Sequence, residues 1–96
     1  MNFTSLQGHV PATYDRLVEV FGEPTYLDPS DDGKVNTEWE LTGYNLFGEP
    51  MPVTIYDWKE YDGGERSRSG LKYEWHVGGT DRSAVSYVME RLYDYA

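Results

Sequence analysis

Apolar positions recur along this chain with two different periods, and the switch between them predicts its elements. Over residues 13–21, Tyr14, Leu17, Val18 and Phe21 follow the i, i+3, i+4, i+7 spacing of one helical face, with Asp15 near the positive end of the dipole. Thr13 suits the N-cap, Gly22 the C-terminal stop, and Pro24 bars a restart. Residues 28–34, D-P-S-D-D-G-K, then carry turn chemistry with an acidic tip. In residues 35–42 the period changes to two: Val35, Thr37, Trp39 and Leu41 alternate with Asn36, Glu38, Glu40 and Thr42. That parity predicts Trp39 and Leu41 inward and Glu38 and Glu40 toward solvent, because a one-residue slip would bury both carboxylates.

Residues 53–59, V-T-I-Y-D-W-K, are β-branched and aromatic on both faces, which predicts a central strand. A third strand over residues 71–77 places Leu71, Tyr73, Trp75 and Val77 opposite Lys72, Glu74 and His76. Gly78 and Gly79 are expected to break it, and Thr80 or Asp81 to cap a second helix whose stripe is Ala84, Val85, Val88, Met89, Leu92 and Tyr95. The links between strands exceed two residues, but an antiparallel meander remains the simplest topology. The order α-β-β-β-α predicts an α+β fold, a three-stranded antiparallel sheet with two helices packed on one face, as a single domain over residues 1–96.

Composition narrows the function classes. Hydrophobic residues make up 39% and aromatics 16% of 96 residues, so a mean hydropathy of −0.69 does not signal disorder. A chain this short leaves little room for a deep, dry active site. Seventeen acids against 8 Lys and Arg give a net charge of −9, which argues against a DNA backbone or an anionic membrane as partner. The absence of Cys removes disulfides, thiolate metal sites and a cysteine nucleophile. No apolar run approaches the roughly 20 residues of a membrane span, and the first residues lack the basic and apolar regions of a signal peptide, so a soluble intracellular domain is expected.

The segments S-L-Q-G (5–8), A-T-Y-D-R-L (12–17), F-G-E-P (21–24), K-V-N-T-E-W (34–39), T-I-Y-D-W-K (54–59) and W-H-V-G-G (75–79) run in order through most of the chain. As a set they resemble a group of small, acidic proteins of unknown function encoded in bacteriophage genomes. The resemblance implies a phage or prophage origin and an accessory role in the host cytoplasm, and it brings no catalytic residue with it. This sequence departs from the pattern in its longer, Arg-bearing loop at residues 63–70.

Charge is distributed unevenly. Residues 1–62 hold 12 acids and 3 bases, whereas residues 63–96 hold 5 of each. Glu38 and Glu40 on one strand face, with Asp28, Asp31, Asp32, Glu60 and Asp62 in turns that border it, form a candidate surface for a host protein with a basic groove. Carboxylates about 6 to 7 Å apart at i, i+2 approximate successive phosphates, and a plain solubilising surface has the same pattern. The expected activity is therefore binding and inhibition of a host nucleic-acid-handling or defence complex, without catalysis and without direct contact with nucleic acid.

A second constellation lies around W-H-V-G-G. Gly78 and Gly79 before a helix terminus suit an anion, Trp58 and Trp75 with Tyr56 suit a stacked base, and Lys59 or Arg82 supplies positive charge. Together with His76 these residues form a candidate nucleotide-sequestering site, the alternative being a tight turn and ordinary packing aromatics. An acid/base pair of His76 and Glu74, with Asp57 nearby, is a weaker candidate, since no catalytic motif accompanies it. No cofactor or metal is expected: two histidines, His9 and His76, do not make a zinc site, and Trp39 stands where an EF-hand needs its glutamate. Tyr87, Tyr93 and Tyr95 exceed what one helix face buries, which offers either a homodimer seam or an amphipathic border.

Overall fold

The computed structural model describes residues 5–28, 33–59 and 64–93. Its first helix, α1 (Tyr14–Phe21), starts where the Thr13 hydroxyl accepts the Arg16 N–H at 3.1 Å. It ends at Gly22, whose φ of +87° suits a residue without Cβ and whose N–H returns to the Val18 carbonyl at 2.8 Å.

The sheet has five strands, not the expected three: β1 (Ser5–Ala12), β2 (Tyr26–Leu27), β3 (Thr37–Tyr44), β4 (Pro50–Tyr56) and β5 (Tyr73–Gly79). All neighbours pair antiparallel in the order β1-β5-β4-β3-β2. β3, β4 and β5 form the expected meander with β4 between the other two, β2 adds to the outer edge of β3, and β1 joins the far side of β5, so the link from β1 through α1 to β2 spans the full width of the sheet. β1 escapes sequence reading because Gly8 and Pro11 interrupt its pattern and a bulge between Leu6 and Gly8 resets its parity. β2 is only two residues long and exists through its pairing to Glu38 and Thr37.

Gly78 and Gly79 do not break β5; they are its last two residues, paired to Thr54 and Val53 of β4. A Cβ at either position would force a neighbour to shift, since at Gly79 it would lie 2.5 Å from the Ala84 Cβ and at Gly78 2.5 Å from the Thr54 hydroxyl. Leu71, in turn, lies outside the strand and is 74% exposed. Pro50 and Pro52 are accommodated in β4 because β5 pairs only with Val53 to Tyr56, leaving the proline positions bonded on one side.

The second helix, α2 (Ser83–Tyr93), packs across β1, β5, β3 and β4, and against α1 on the same sheet face. The core between them is Val10, Ala12, Leu17, Trp39, Met51, Val53, Ile55, Trp75, Val77, Ala84, Val88 and Leu92. The two enclosed tryptophans meet edge to face, at 5.4 Å between ring centres. Their indole N–H groups donate to backbone, Trp39 to the Gly22 carbonyl at 2.8 Å and Trp75 to the Ala12 carbonyl at 3.0 Å. Trp39 is buried, Leu41 half-buried, and Glu38 and Glu40 lie on the opposite face, as the alternation predicts. Met89, at the border of the α2 stripe, is 36% exposed, and Tyr95 lies outside the described residues. No helix among the described residues is long and apolar enough to cross a membrane.

Candidate functional site

Because both helices cover one face, the other face of the sheet is open, and directly paired residues on it form a row. Tyr26 of β2 opposes Glu38 of β3, Glu38 opposes Tyr56 of β4, Tyr56 opposes His76 of β5, and His76 opposes His9 of β1. The row therefore crosses all five strands. Tyr56 and His76 stack at 5.4 Å, His9 meets His76 edge to face at 4.5 Å, and Trp58, just beyond β4, lies 6.2 Å from Tyr56 and 6.4 Å from His76. Beside it Glu40 opposes Thr54 and Thr54 opposes Gly78, where the missing side chain leaves the Tyr56 ring edge near the backbone.

Two open concavities flank Tyr56, His76 and Trp58. One of about 280 Å³ includes Glu38, Thr54, Tyr56, Trp58 and Gly78 in its lining. The other, of about 460 Å³, brings Trp58, Tyr73 and His76 together with Arg66, Lys72 and Glu74. A third hollow, of about 400 Å³, follows the β3–β4 pair past Glu40 and Thr42.

The electrostatics of the face follow from partial burial. Burial raises the Glu38 carboxyl above its ordinary value, and the like charge of Glu40 adds to this; burial, then Glu38, raises the Tyr56 phenol. His76 is held below its ordinary value by burial and then by His9, against the opposing pull of Asp57 and Glu74. Its Nδ1 is buried without a hydrogen-bond partner.

The loop that carries Arg66 is fastened from beneath. Asp57, fully enclosed on the helix side, accepts the N–H groups of Asn36 at 2.7 Å and Thr37 at 2.9 Å on one oxygen and the Ser67 hydroxyl at 2.8 Å on the other. Residues 64–68 close on themselves through Arg68 N–H to the Gly64 carbonyl at 3.0 Å. Asp57 is thus a structural hub and does not join His76 and Glu74 on the open face.

The predicted acidic set divides. Glu38 and Glu40 are on the open face and Asp28 is exposed at the end of β2, while Asp31, Asp32, Glu60 and Asp62 lie outside the described residues. The predicted ligand set also divides, and part of it is corrected. Trp75 is fully enclosed and Gly79 faces Ala84, so both belong to the helix face, because residues 75, 77 and 79 share the inward parity of β5. Trp58, His76 and Gly78 are on the open face; Lys59 stands with its Nζ 5.7 Å from the Trp58 ring centre. Arg82 is exposed ahead of α2 and lines neither concavity. The anion expected at that helix start meets a carboxylate instead, since Asp81 accepts the Ser83 N–H at 2.7 Å. Of the C-terminal tyrosines, Tyr87 packs at Gly43 and the Tyr93 hydroxyl donates to the Pro11 carbonyl.

Sequence reasoning missed His9, Arg66, Lys72 and Tyr73 as neighbours of Trp58 and His76. A signal existed for His9, which alternates with Val10 and Ala12, but not for the loop residues, whose placement depends on Ser67 reaching Asp57. No protein-family model, curated protein or solved structure matches the chain, so its function is argued from this face alone.

Proposed function

We propose that this chain is a non-enzymatic, phage-type accessory protein that binds and inhibits a host nucleic-acid-handling or defence complex in the host cytoplasm, presenting carboxylates to a basic groove. The observation that carries the reading is the position of Glu38 and Glu40, two residues apart on β3, on the face that no helix covers and beside the two-residue edge strand β2. Their spacing of about 6 to 7 Å is close to that of successive phosphates. Glu38 is destabilised as an anion by burial and by Glu40, so an approaching cation relieves a repulsion already present in the free protein. The surplus of acids in residues 1–62 supplies the long-range attraction.

The test is recovery of a basic partner from host lysate on immobilised protein, over a range of salt. Binding should weaken steeply with salt, and the double variant Glu38→Lys, Glu40→Lys should lose the partner. The variant Glu23→Lys, Glu90→Lys changes net charge equally at exposed positions of the helical layer and should retain it. Equal losses would mean that general acidity alone matters, and unchanged recovery by both would remove the reading.

A further inference from the structure

We propose that the concavity beside Trp58 is a binding site for a small aromatic anion of the nucleoside monophosphate class, with the base stacked on Trp58 and the phosphate held by Arg66 and Lys72. This site is separate from the Glu38–Glu40 surface, as neither carboxylate lines it.

Three observations carry the inference. The first is the contrast among the tryptophans: Trp39 and Trp75 are enclosed with their N–H groups bonded, whereas Trp58 is 39% exposed on the open face. Its backbone N–H donates to the Tyr73 hydroxyl at 3.3 Å, so the stacking platform is held by a neighbour in the same concavity.

The second is charge. This chain has 8 Lys and Arg against 17 acids, yet of the two concavities that share the exposed Trp58, one is lined by both Arg66 and Lys72 and the other by neither. A planar guanidinium and an ammonium beside a ring are what a phosphorylated aromatic requires. Glu74 lies on the same lining, so the phosphate belongs on the basic side and an exocyclic amine of the base beside the carboxylate.

The third is construction. Arg66 is carried by a loop tied through Ser67 to the buried Asp57, which also holds the start of β3 and directly precedes Trp58. One enclosed carboxylate therefore fixes the loop bearing the cation and the strand end bearing the ring. Such preorganisation lowers the entropy lost on binding. The volume, about 460 Å³, is of the size that small ligands occupy.

Adenosine monophosphate, whose base carries an exocyclic amine, is the probe. Titration is followed by quenching of the accessible tryptophan emission, which belongs to Trp58, and by amide chemical shifts at residues 64–76. Saturable quenching by adenosine monophosphate is expected, with adenosine and orthophosphate each binding at least about tenfold more weakly and Arg66→Ala and Lys72→Ala each weakening the nucleotide about tenfold. Trp58→Phe should keep binding, read by amide shifts, and Trp58→Ala should lose it. Four results would each overturn the proposal: no saturable response of the wild type at millimolar nucleotide, adenosine binding as tightly as its monophosphate, orthophosphate binding as tightly as the nucleotide, or unchanged affinity in both cation variants with an unaltered unfolding midpoint.

Discussion

The Asp57 carboxylate accepts the Ser67 hydroxyl at 2.8 Å in a fully enclosed setting, joining the end of β4 to a loop ten residues further along the chain. Removing the carboxylate takes the acceptor at Asp57 from the buried Asn36 and Thr37 N–H groups, at roughly 1 to 3 kcal/mol each, while the Ser67 hydroxyl keeps the Gly64 carbonyl at 3.2 Å. Asp57→Ala should therefore destabilise by about 2 to 5 kcal/mol, and Asp57→Asn, which keeps one carbonyl acceptor, by less. Urea unfolding measures both, and a change below about 0.5 kcal/mol in Asp57→Ala would remove the hub assignment.

Two titratable groups of the open row, His76 and Glu38, act on stability with opposite sign. The unfolded chain protonates His76 near its ordinary 6.5, while the fold holds the ring lower, by burial first and His9 second. The unfolded state thus binds more protons in that window, and stability falls as pH drops below about 6.5 until the folded ring also protonates. His76→Gln should flatten this part of the profile, seen as a smaller loss of Tm between neutral pH and pH 5.

Glu38 runs the other way. Its folded carboxyl keeps a proton above the ordinary 4.5, because of burial and then Glu40, so stability is lost as pH rises from 4.5 through the raised value. Glu38→Gln should raise Tm at pH 7 and leave it unchanged below about pH 4, where the carboxyl is protonated in both states. A lower Tm for the variant at pH 7 would contradict the placement of Glu38 on a half-buried face.

Gly79 makes room for α2. An added Cβ lies 2.5 Å from the Ala84 Cβ and is also close to the carbonyls of Pro52 and Asp81, so relief must come from moving the helix. Gly79→Ala should cost about 1 to 3 kcal/mol. Combining it with Ala84→Gly should cost less than the sum of the two single changes, a coupling that a double-mutant cycle measures. Additive effects would place α2 elsewhere.

Within α2 the cost of truncation should follow burial. Val88→Ala and Leu92→Ala remove enclosed side chains and should each cost about 2 to 4 kcal/mol, while Met89→Ala, at a 36% exposed position, should cost clearly less. Equal costs for the three in urea unfolding would contradict the observed helix rotation.

Some of this molecule is legible in residues that lie close together in sequence. The Thr13 cap, the Gly22 stop, the inward parity of Trp39 and Leu41 and the Ala84, Val88, Leu92 stripe each follow from a period or a cap acting within one or two turns or a few strand residues. Those local rules predicted two helices on one side of an antiparallel sheet with β4 at its centre. Strand number was not local: β1 has a bulge and a proline, β2 has two residues, and both persist only because β5 and β3 offer them unpaired backbone. Nor was the fate of the glycines, which read as a strand break until Thr54 and Ala84 are seen to occupy the space a side chain would take. The packing of Trp58 near His76 on the open face, the row from Tyr26 to His9, and the fastening of Arg66 through Ser67 join residues from ten to more than sixty positions apart. Residues so distant meet only where burial and strand pairing bring the chain back on itself, so the sequence determined the elements and their faces while tertiary packing decided which faces meet and what remains open.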